Sequence, residues 1–385
     1  MQMKNDHSSA LPLRIADHGV VFSGEPGGDS QSAAFPIPCV LPSGRWLCSF
    51  RAAPAKQASR GQKAMLTWSD DFGRTWSEPV QPFQPQTVGG RPGLMRFAPL
   101  SSLGDDRLIA AVNWVDYSDP EAPYFNEETE GLLDTRIFLS YSPDGGQTWS
   151  PPRLMDTAPF NVPTPLTGSI LPLPNGELAC QFELNKHYDD ARPWKHASVM
   201  VFSADGGRTW PRHSIVAHDP SRRVFYWDQR PSVLPDGRII DVFWTFDRKT
   251  ASYLNIHSCE SRDSGRTWSA LRDVGVPGQP GPVFPLRDGT LAMPCVDRTG
   301  APLISVRQSV DGGRSWPPED ALVLHKSSGT SQTVAKSTMQ DAWSEMYAFS
   351  VGLPSSAALP GGGALVVYYA GPHTDATSIH WAVVE

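Results

Sequence analysis

No run of eighteen apolar residues occurs in this 385-residue chain, which excludes a membrane-crossing helix of ordinary length. Positive charge is also in short supply. Lys and Arg total 33 against 40 Asp and Glu, a formal charge of −7, and phosphate backbones are bound by clustered cations, so nucleic acid is not the expected partner. The five cysteines (Cys39, Cys48, Cys180, Cys259, Cys295) form no CxxC pair. An odd, scattered set of this kind reads as reduced, buried thiols rather than a disulfide framework or a zinc site. His187, Asp189, Asp190 and His196 match no established metal-ligand spacing, and no metal or other cofactor is expected. The start, Met1 to His7, lacks the apolar stretch of a secretory signal, which read literally places the chain in the cytoplasm.

Gly (33), Pro (37) and Trp (13) are plentiful instead, a composition of many turns, large buried aromatics and little room for long helices. One octapeptide, Ser-x-Asp-x-Gly-x-Thr/Ser-Trp, occurs five times: Ser69–Trp76, Ser142–Trp149, Ser203–Trp210, Ser261–Trp268 and Ser309–Trp316. Its chemistry is that of a tight turn. The Asp carboxylate accepts backbone N–H bonds, the Gly takes φ > 0, the hydroxyls cap neighbouring backbone groups, and the Trp anchors the turn. These aspartates therefore read as structural. A second signature, Leu-Pro-x-Gly, recurs at Leu41–Arg45, Leu173–Glu177, Leu234–Arg238 and Leu359–Gly363, at Leu286–Thr290 with Arg287 in place of the Pro, and in a degenerate copy at Leu103–Arg107. Each copy lies between apolar runs, as a hairpin turn does.

Six hairpins and five boxes define a four-stranded unit: strand A, Leu-Pro-x-Gly turn, strand B, loop, strand C, box, strand D. The box aspartates Asp71, Asp144, Asp205, Asp263 and Asp311 are separated by 73, 61, 58 and 48 residues, about one propeller blade each. The expected fold is all-β: a single six-bladed β-propeller domain over 1–385 with four-stranded antiparallel blades. The sixth unit lacks a box, and residues about 18–23 have the strand character to complete it, so that the termini pair and the ring closes.

These boxes and hairpins resemble those of the sialidase (neuraminidase) superfamily, the Asp-box propellers, over nearly the whole chain. Turn and box connect strands at one end of each blade. The other end carries the starts of strand A, the ends of strand B and the B–C loops, which meet on the axis, the default ligand site. Those segments supply four arginines, Arg51, Arg96, Arg230 and Arg298, suited to gripping a carboxylate. Beside them lie Glu183, Lys186 and His187 in one stretch, and Trp227 and Asp228 in another. Strand alternation sets Asp228 and Arg230 on one face.

The resemblance implies a Tyr nucleophile partnered by a Glu, an Asp acid/base and three arginines on the sialic acid carboxylate, an exception to the two-carboxylate scheme. Tyr347, before the sixth strand A, stands at the nucleophile's place. Glu183 matches the partner carboxylate and Arg230 the second arginine. Two elements depart from the family. Phe35-Pro36-Ile37-Pro38 replaces the Arg-Ile-Pro motif, with Pro36 at the arginine's place and Arg51 one strand later as its substitute. The first B–C loop, Ala52 to Met65, holds Lys56, Arg60 and Lys63 and no acid. The second B–C loop is long and acidic from Asp116 to Asp134, and reads as a solvated loop rather than a cover for the pocket.

The expected function is a glycosidase, exo-acting on a small acidic sugar or oligosaccharide. A uronate lyase using His187, Lys186 or Tyr347 as base is an alternative. So is a carbohydrate-binding propeller without chemistry.

Overall fold

The computed structural model describes residues 11–57, 61–319, 321–328, 332–333 and 335–385; Arg60 of the first loop lies outside them. Local chemistry dictates the hairpins. In the first, the Leu41 amide donates to Arg45 O (2.9 Å) and the Gly44 amide to Leu41 O (2.9 Å), with Gly44 at φ 93°, a conformation Gly adopts without strain. The same pair of bonds recurs at Leu173/Gly176, Leu234/Gly237, Leu286/Gly289 and Leu359/Gly362.

The octapeptides fold as their chemistry requires. In the first, Asp71 Oδ1 accepts from Ser69 Oγ (2.8 Å) and the Thr75 amide (2.9 Å), and Oδ2 accepts from Thr75 Oγ1 (2.7 Å). The Gly73 amide donates to Ser69 Oγ (2.8 Å). These bonds hold the carboxyls of Asp205 and its counterparts below the usual carboxylate range. The spent lone pairs fix the box aspartates as turn formers rather than catalysts.

Strands assemble into five hydrogen-bonded sheets. The third repeat shows the plan most simply. Leu171–Pro172, Leu178–Leu184, Ala197–Ser203 and Arg212–Ala217 lie in sequence order, all antiparallel. The second, fourth and fifth repeats follow the same order, with strand A broken into two pieces. A seven-stranded sheet contains the first repeat (Ser32–Val40, Trp46–Ala53, Lys63–Ser69) and the last (Val351–Ala358, Ala364–His373, Ala376–Val384). Its two halves are joined through one parallel pairing, Ser32 with Thr377. The N-terminal strand, Ile15–Phe22, pairs antiparallel with Ala376–Val384, from Ile15 opposite Val384 to Phe22 opposite Ile379, with register shifts between Ile15 and Asp17 and between Val20 and Phe22. The termini thus lie side by side, and the strand begins three residues earlier than the sequence implied.

Side chains of neighbouring repeats pack against one another to form the core. One cluster joins Leu47 and Leu66 of the first repeat to Leu108, Val112 and Trp114 of the second. Another joins Phe50 and Cys48 to Tyr369, Trp381 and Val367 of the last. Every cysteine is buried and free. The described residues contain one α-helix, Met339–Met346, which the turn-rich composition had not led us to expect. Thr338 and Asp341 cap it reciprocally, a side chain to each other's backbone amide.

Candidate functional site

Strand A of several repeats is disturbed where it approaches the common centre. Register shifts fall between Ala34 and Ile37, Met95 and Phe97, and Gly352 and Ser355. Phe35 (φ 56°), Leu353 (φ 40°) and Asp228 (φ 52°) occupy the left-handed region there. Such bulges re-aim side chains, and a non-Gly residue held at positive φ persists only where its surroundings over-determine it. All three residues line one cavity of about 240 Å³.

Each strand-A start and each strand-B end assigned to the axis contributes to that cavity. From the strand-A segments come Phe35, Arg96, Thr167, Asp228 with Arg230, Gln279 and Leu353, with Tyr347 at the C-cap of the helix before the last of these strands; from the strand-B ends come Arg51, Asn113, Glu183, Trp244, Arg298 and Tyr369. Of the ten residues singled out in the sequence, Glu183, Asp228, Tyr347, Arg51, Arg96, Arg230, Arg298 and Trp227 line it.

Lys186 and His187 do not. Lys186 Nζ donates to Arg192 O (2.8 Å), and His187 Nε2 lies 3.0 Å from Asn161 O on an exposed edge. The strand Leu178–Leu184 ends before them, so alternation no longer governs their direction. The histidine that does approach is His196, buried against Trp194 and Phe225, with Nε2 3.6 Å from Glu183 Oε2. Among the described residues no cluster of three or more His, Cys, Asp or Glu is arranged to hold a metal ion.

The cations are held from behind. Arg51, 1% exposed, donates through Nε to Gln62 Oε1 (3.1 Å) and through Nη2 to Ala55 O (3.3 Å) and Lys56 O (2.7 Å). Arg298, 4% exposed, donates to Val351 O (2.8 Å) and Gln279 Oε1 (3.0 Å) and stacks on Phe349, 4.1 Å from the ring centroid. Arg230 bonds Thr167 O and lies 3.2 Å from Asp228 Oδ1. Arg96 rests on the Tyr124 ring at 4.4 Å. Burial, then repulsion from Arg96, brings Arg51 down to about 9. Burial likewise lowers Arg298. Lys56 is held well below the usual amine value by burial, then by Arg298 and Arg51.

Among the described residues two carboxylates line the cavity, and both are engaged. Glu183 Oε1 accepts from the Asp228 amide, and Asp228 Oδ2 accepts from Gln279 Nε2. Four guanidiniums against two carboxylates leave the lining with surplus positive charge in a half-enclosed space. Such a site favours an anion that a planar guanidinium can grip.

The opposite wall is aromatic. Trp227 stacks on Phe246 (5.0 Å), and Trp343 of the helix stacks on Phe125 (4.2 Å) of the long second loop. That loop was expected to be solvated, yet Tyr124 and Leu132 line the cavity while Phe125 is buried beneath the helix. Two of its acids are paired away from the cavity, Glu130 with Arg248 (2.5 Å) and Asp116 with Arg91 (2.6 Å). The apolar residues buried in an acidic stretch were the available signal. For Trp343 the signal was the Thr338–Asp341 capping pattern ahead of it.

A family profile described as BNR repeat-like domain matches residues 123–355, more than half of the chain. The chain belongs to the BNR repeat-like family. It is 26% identical over 264 residues to a sialidase of Micromonospora viridifaciens; the match covers 63% of this chain and 39% of that relative's length. Among solved structures it is similar to a protein of unknown function from Dyadobacter fermentans (TM-score 0.74, 20% identity, 98% of this chain and 100% of that one). It is also similar to the intramolecular trans-sialidase from Ruminococcus gnavus (TM-score 0.63, 13% identity, 95% and 96%). The BNR chain thus has the all-β fold of the sialidases. Against the sialidase pattern its first repeat carries Pro36 rather than an arginine on the cavity wall, and Lys56 rather than an acid from the following loop.

Proposed function

We propose that the chain is a six-bladed β-propeller completed by its N-terminal strand, and that its axial cavity hydrolyses glycosides of a carboxylate-bearing sugar. Two features support the ring: the pairing of Ile15–Phe22 with Ala376–Val384, and the single parallel contact between the first and last repeats. The observation that carries the activity is the convergence of Arg51, Arg96, Arg230, Arg298 and Lys56 on a cavity that also holds Tyr347, Glu183 and Asp228.

In this reading the guanidiniums bind the sugar carboxylate, and Trp227 with its aromatic neighbours packs the sugar's apolar face. Tyr347 Oη attacks the anomeric carbon, with Glu183 accepting its proton. Asp228, tied to Arg230 and Gln279, positions the second arginine. The chemistry uses side chains alone. An acidic sugar or oligosaccharide is the partner.

The test is release of a chromogenic alcohol from a panel of sialic and uronic acid glycosides. Turnover is expected for at least one, and Glu183→Gln, which keeps an acceptor for the Asp228 amide, lowers kcat by roughly 100-fold or more, the usual weight of one proton-transfer group. No turnover across the panel by folded protein refutes hydrolysis.

A second reading, a binding propeller, is favoured by one observation: neither carboxylate of the cavity is left without a partner. It predicts affinity for the acidic sugar without product. The lyase reading loses Lys186 and His187 as bases, since both lie outside the cavity.

A further inference from the structure

We propose that Lys56 is the proton-transfer residue of this cavity, giving its proton to the leaving oxygen of the glycoside and recovering one from water. The inference rests on the hydrolase reading above and names a group that reading leaves open, the donor to the departing alcohol.

The position is built, not incidental. Lys56 sits between the strands Trp46–Ala53 and Lys63–Ser69, and its backbone is fixed on both sides. Its amide donates to Asp375 Oδ1 (2.9 Å), and its carbonyl accepts from Arg51 Nη2 (2.7 Å). The side chain, in a residue 6% exposed, turns inward to line the cavity. There Nζ donates to Phe349 O and to Tyr369 Oη (3.2 Å), with the Phe349 and Tyr369 rings at 5.7 and 5.1 Å. It is the one amine among the described cavity residues.

The two cavity carboxylates are poorly placed for the task. Glu183 accepts from the Asp228 amide, and Asp228 accepts from Gln279 and lies beside Arg230, so the oxygens of both are already engaged. A surface lysine would be a weak acid, but this one faces Arg51 and Arg298, with Asp375 and the Tyr369 hydroxyl as its other polar neighbours. Burial and the two guanidiniums make the ammonium form costly, which is what a proton donor to an alkoxide requires. A bound carboxylate offsets that repulsion, so substrate binding populates the protonated form it will consume.

The bonds balance. Tyr347 Oη bonds to the anomeric carbon and passes its proton to Glu183. The glycosidic C–O bond breaks, and its electron pair stays on the leaving oxygen, which takes the Lys56 proton. Water then adds to the anomeric carbon and gives its proton to the neutral Lys56 amine. The C–O bond to Tyr347 breaks, and the phenolate recovers its proton from Glu183.

The experiment compares two glycosides of the acidic sugar that the panel shows to be hydrolysed best, one with a 4-nitrophenyl and one with a methyl leaving group. A nitrophenolate departs without help and an alkoxide does not. Lys56→Gln and Lys56→Met are expected to keep kcat/KM, which reads only the steps up to departure of the leaving group, within about 3-fold on the nitrophenyl glycoside while lowering it roughly 100-fold or more on the methyl glycoside; kcat falls on both, because the water step has lost its base. Unmutated protein supplies an independent readout, an alkaline fall in kcat/KM for the methyl glycoside that is absent for the nitrophenyl one. Equal losses of kcat/KM on both substrates, or none on either, overturn the role of Lys56 while hydrolysis stands. Cleavage of neither glycoside by folded, unmutated protein overturns both.

Discussion

Arg96 offers the most direct measure of what the cation cluster is for. It is half-buried on the strand Arg91–Phe97, lies over Tyr124 at 4.4 Å and Phe35 at 6.0 Å, and forms no ion pair among the described residues. Its charge also works against its neighbour, since Arg96 lowers the pKa of Arg51. In the empty protein Arg96→Met removes a cation–π contact of about 0.5–1 kcal/mol and relieves that repulsion. The two effects oppose, and Tm is expected to move by no more than about 3 °C. With ligand present the balance differs. A charge-assisted hydrogen bond to a carboxylate contributes about 1.5–3 kcal/mol, or roughly 10- to 150-fold in Kd. Calorimetric titration with the acidic sugar should show a loss in that range for R96M, and the sugar's uncharged methyl ester should bind both proteins alike. Equal losses for acid and ester, or no loss for the acid, would refute the assignment of this cluster to a carboxylate.

Two further outcomes follow from buried titratable groups. Asp241, fully buried behind Arg230, has its carboxyl held well above the ordinary carboxylate range by burial. Between the unfolded value near 4 and that raised value, the folded chain binds a proton the unfolded chain has released, so stability falls as pH rises through this window. Asp241→Asn should therefore raise Tm more at pH 7 than at pH 4; an equal shift at both values refutes it. The five cysteine thiols are buried, with Cys39 and Cys180 pushed up to about 12 by desolvation. A chromogenic disulfide reagent should find no fast-reacting thiol in folded protein and five after denaturation, and one rapid thiol in the native state would contradict this packing.

The repeats were legible because their chemistry is local. An Asp that must bond an amide four residues on, and a Gly that must take φ > 0, write themselves into eight consecutive positions. Strand order followed, and with it the end of each repeat that faces the centre. Arg51, Arg230 and Arg298 were located in this way, one at a time, from their places at strand ends. Lys186 and His187 were misplaced because they lie just past the last paired residue of Leu178–Leu184, where period-two alternation stops. Tyr124 and Trp343 were missed because they lie on a loop and a short helix outside the repeat pattern, which meet through the Phe125–Trp343 stack.

Sequence alone therefore determined the repeat, its turns, the strand that joins the two termini and the list of segments available to the centre. Tertiary structure decided which side chains in those segments share a cavity, that its two acids are engaged, and that Lys56 turns inward beside Arg51. Turns are set by contacts a few residues apart. A site assembled from residues 35 to 369 depends on how sheets pack side by side, and the charge each group carries depends on neighbours supplied by that packing.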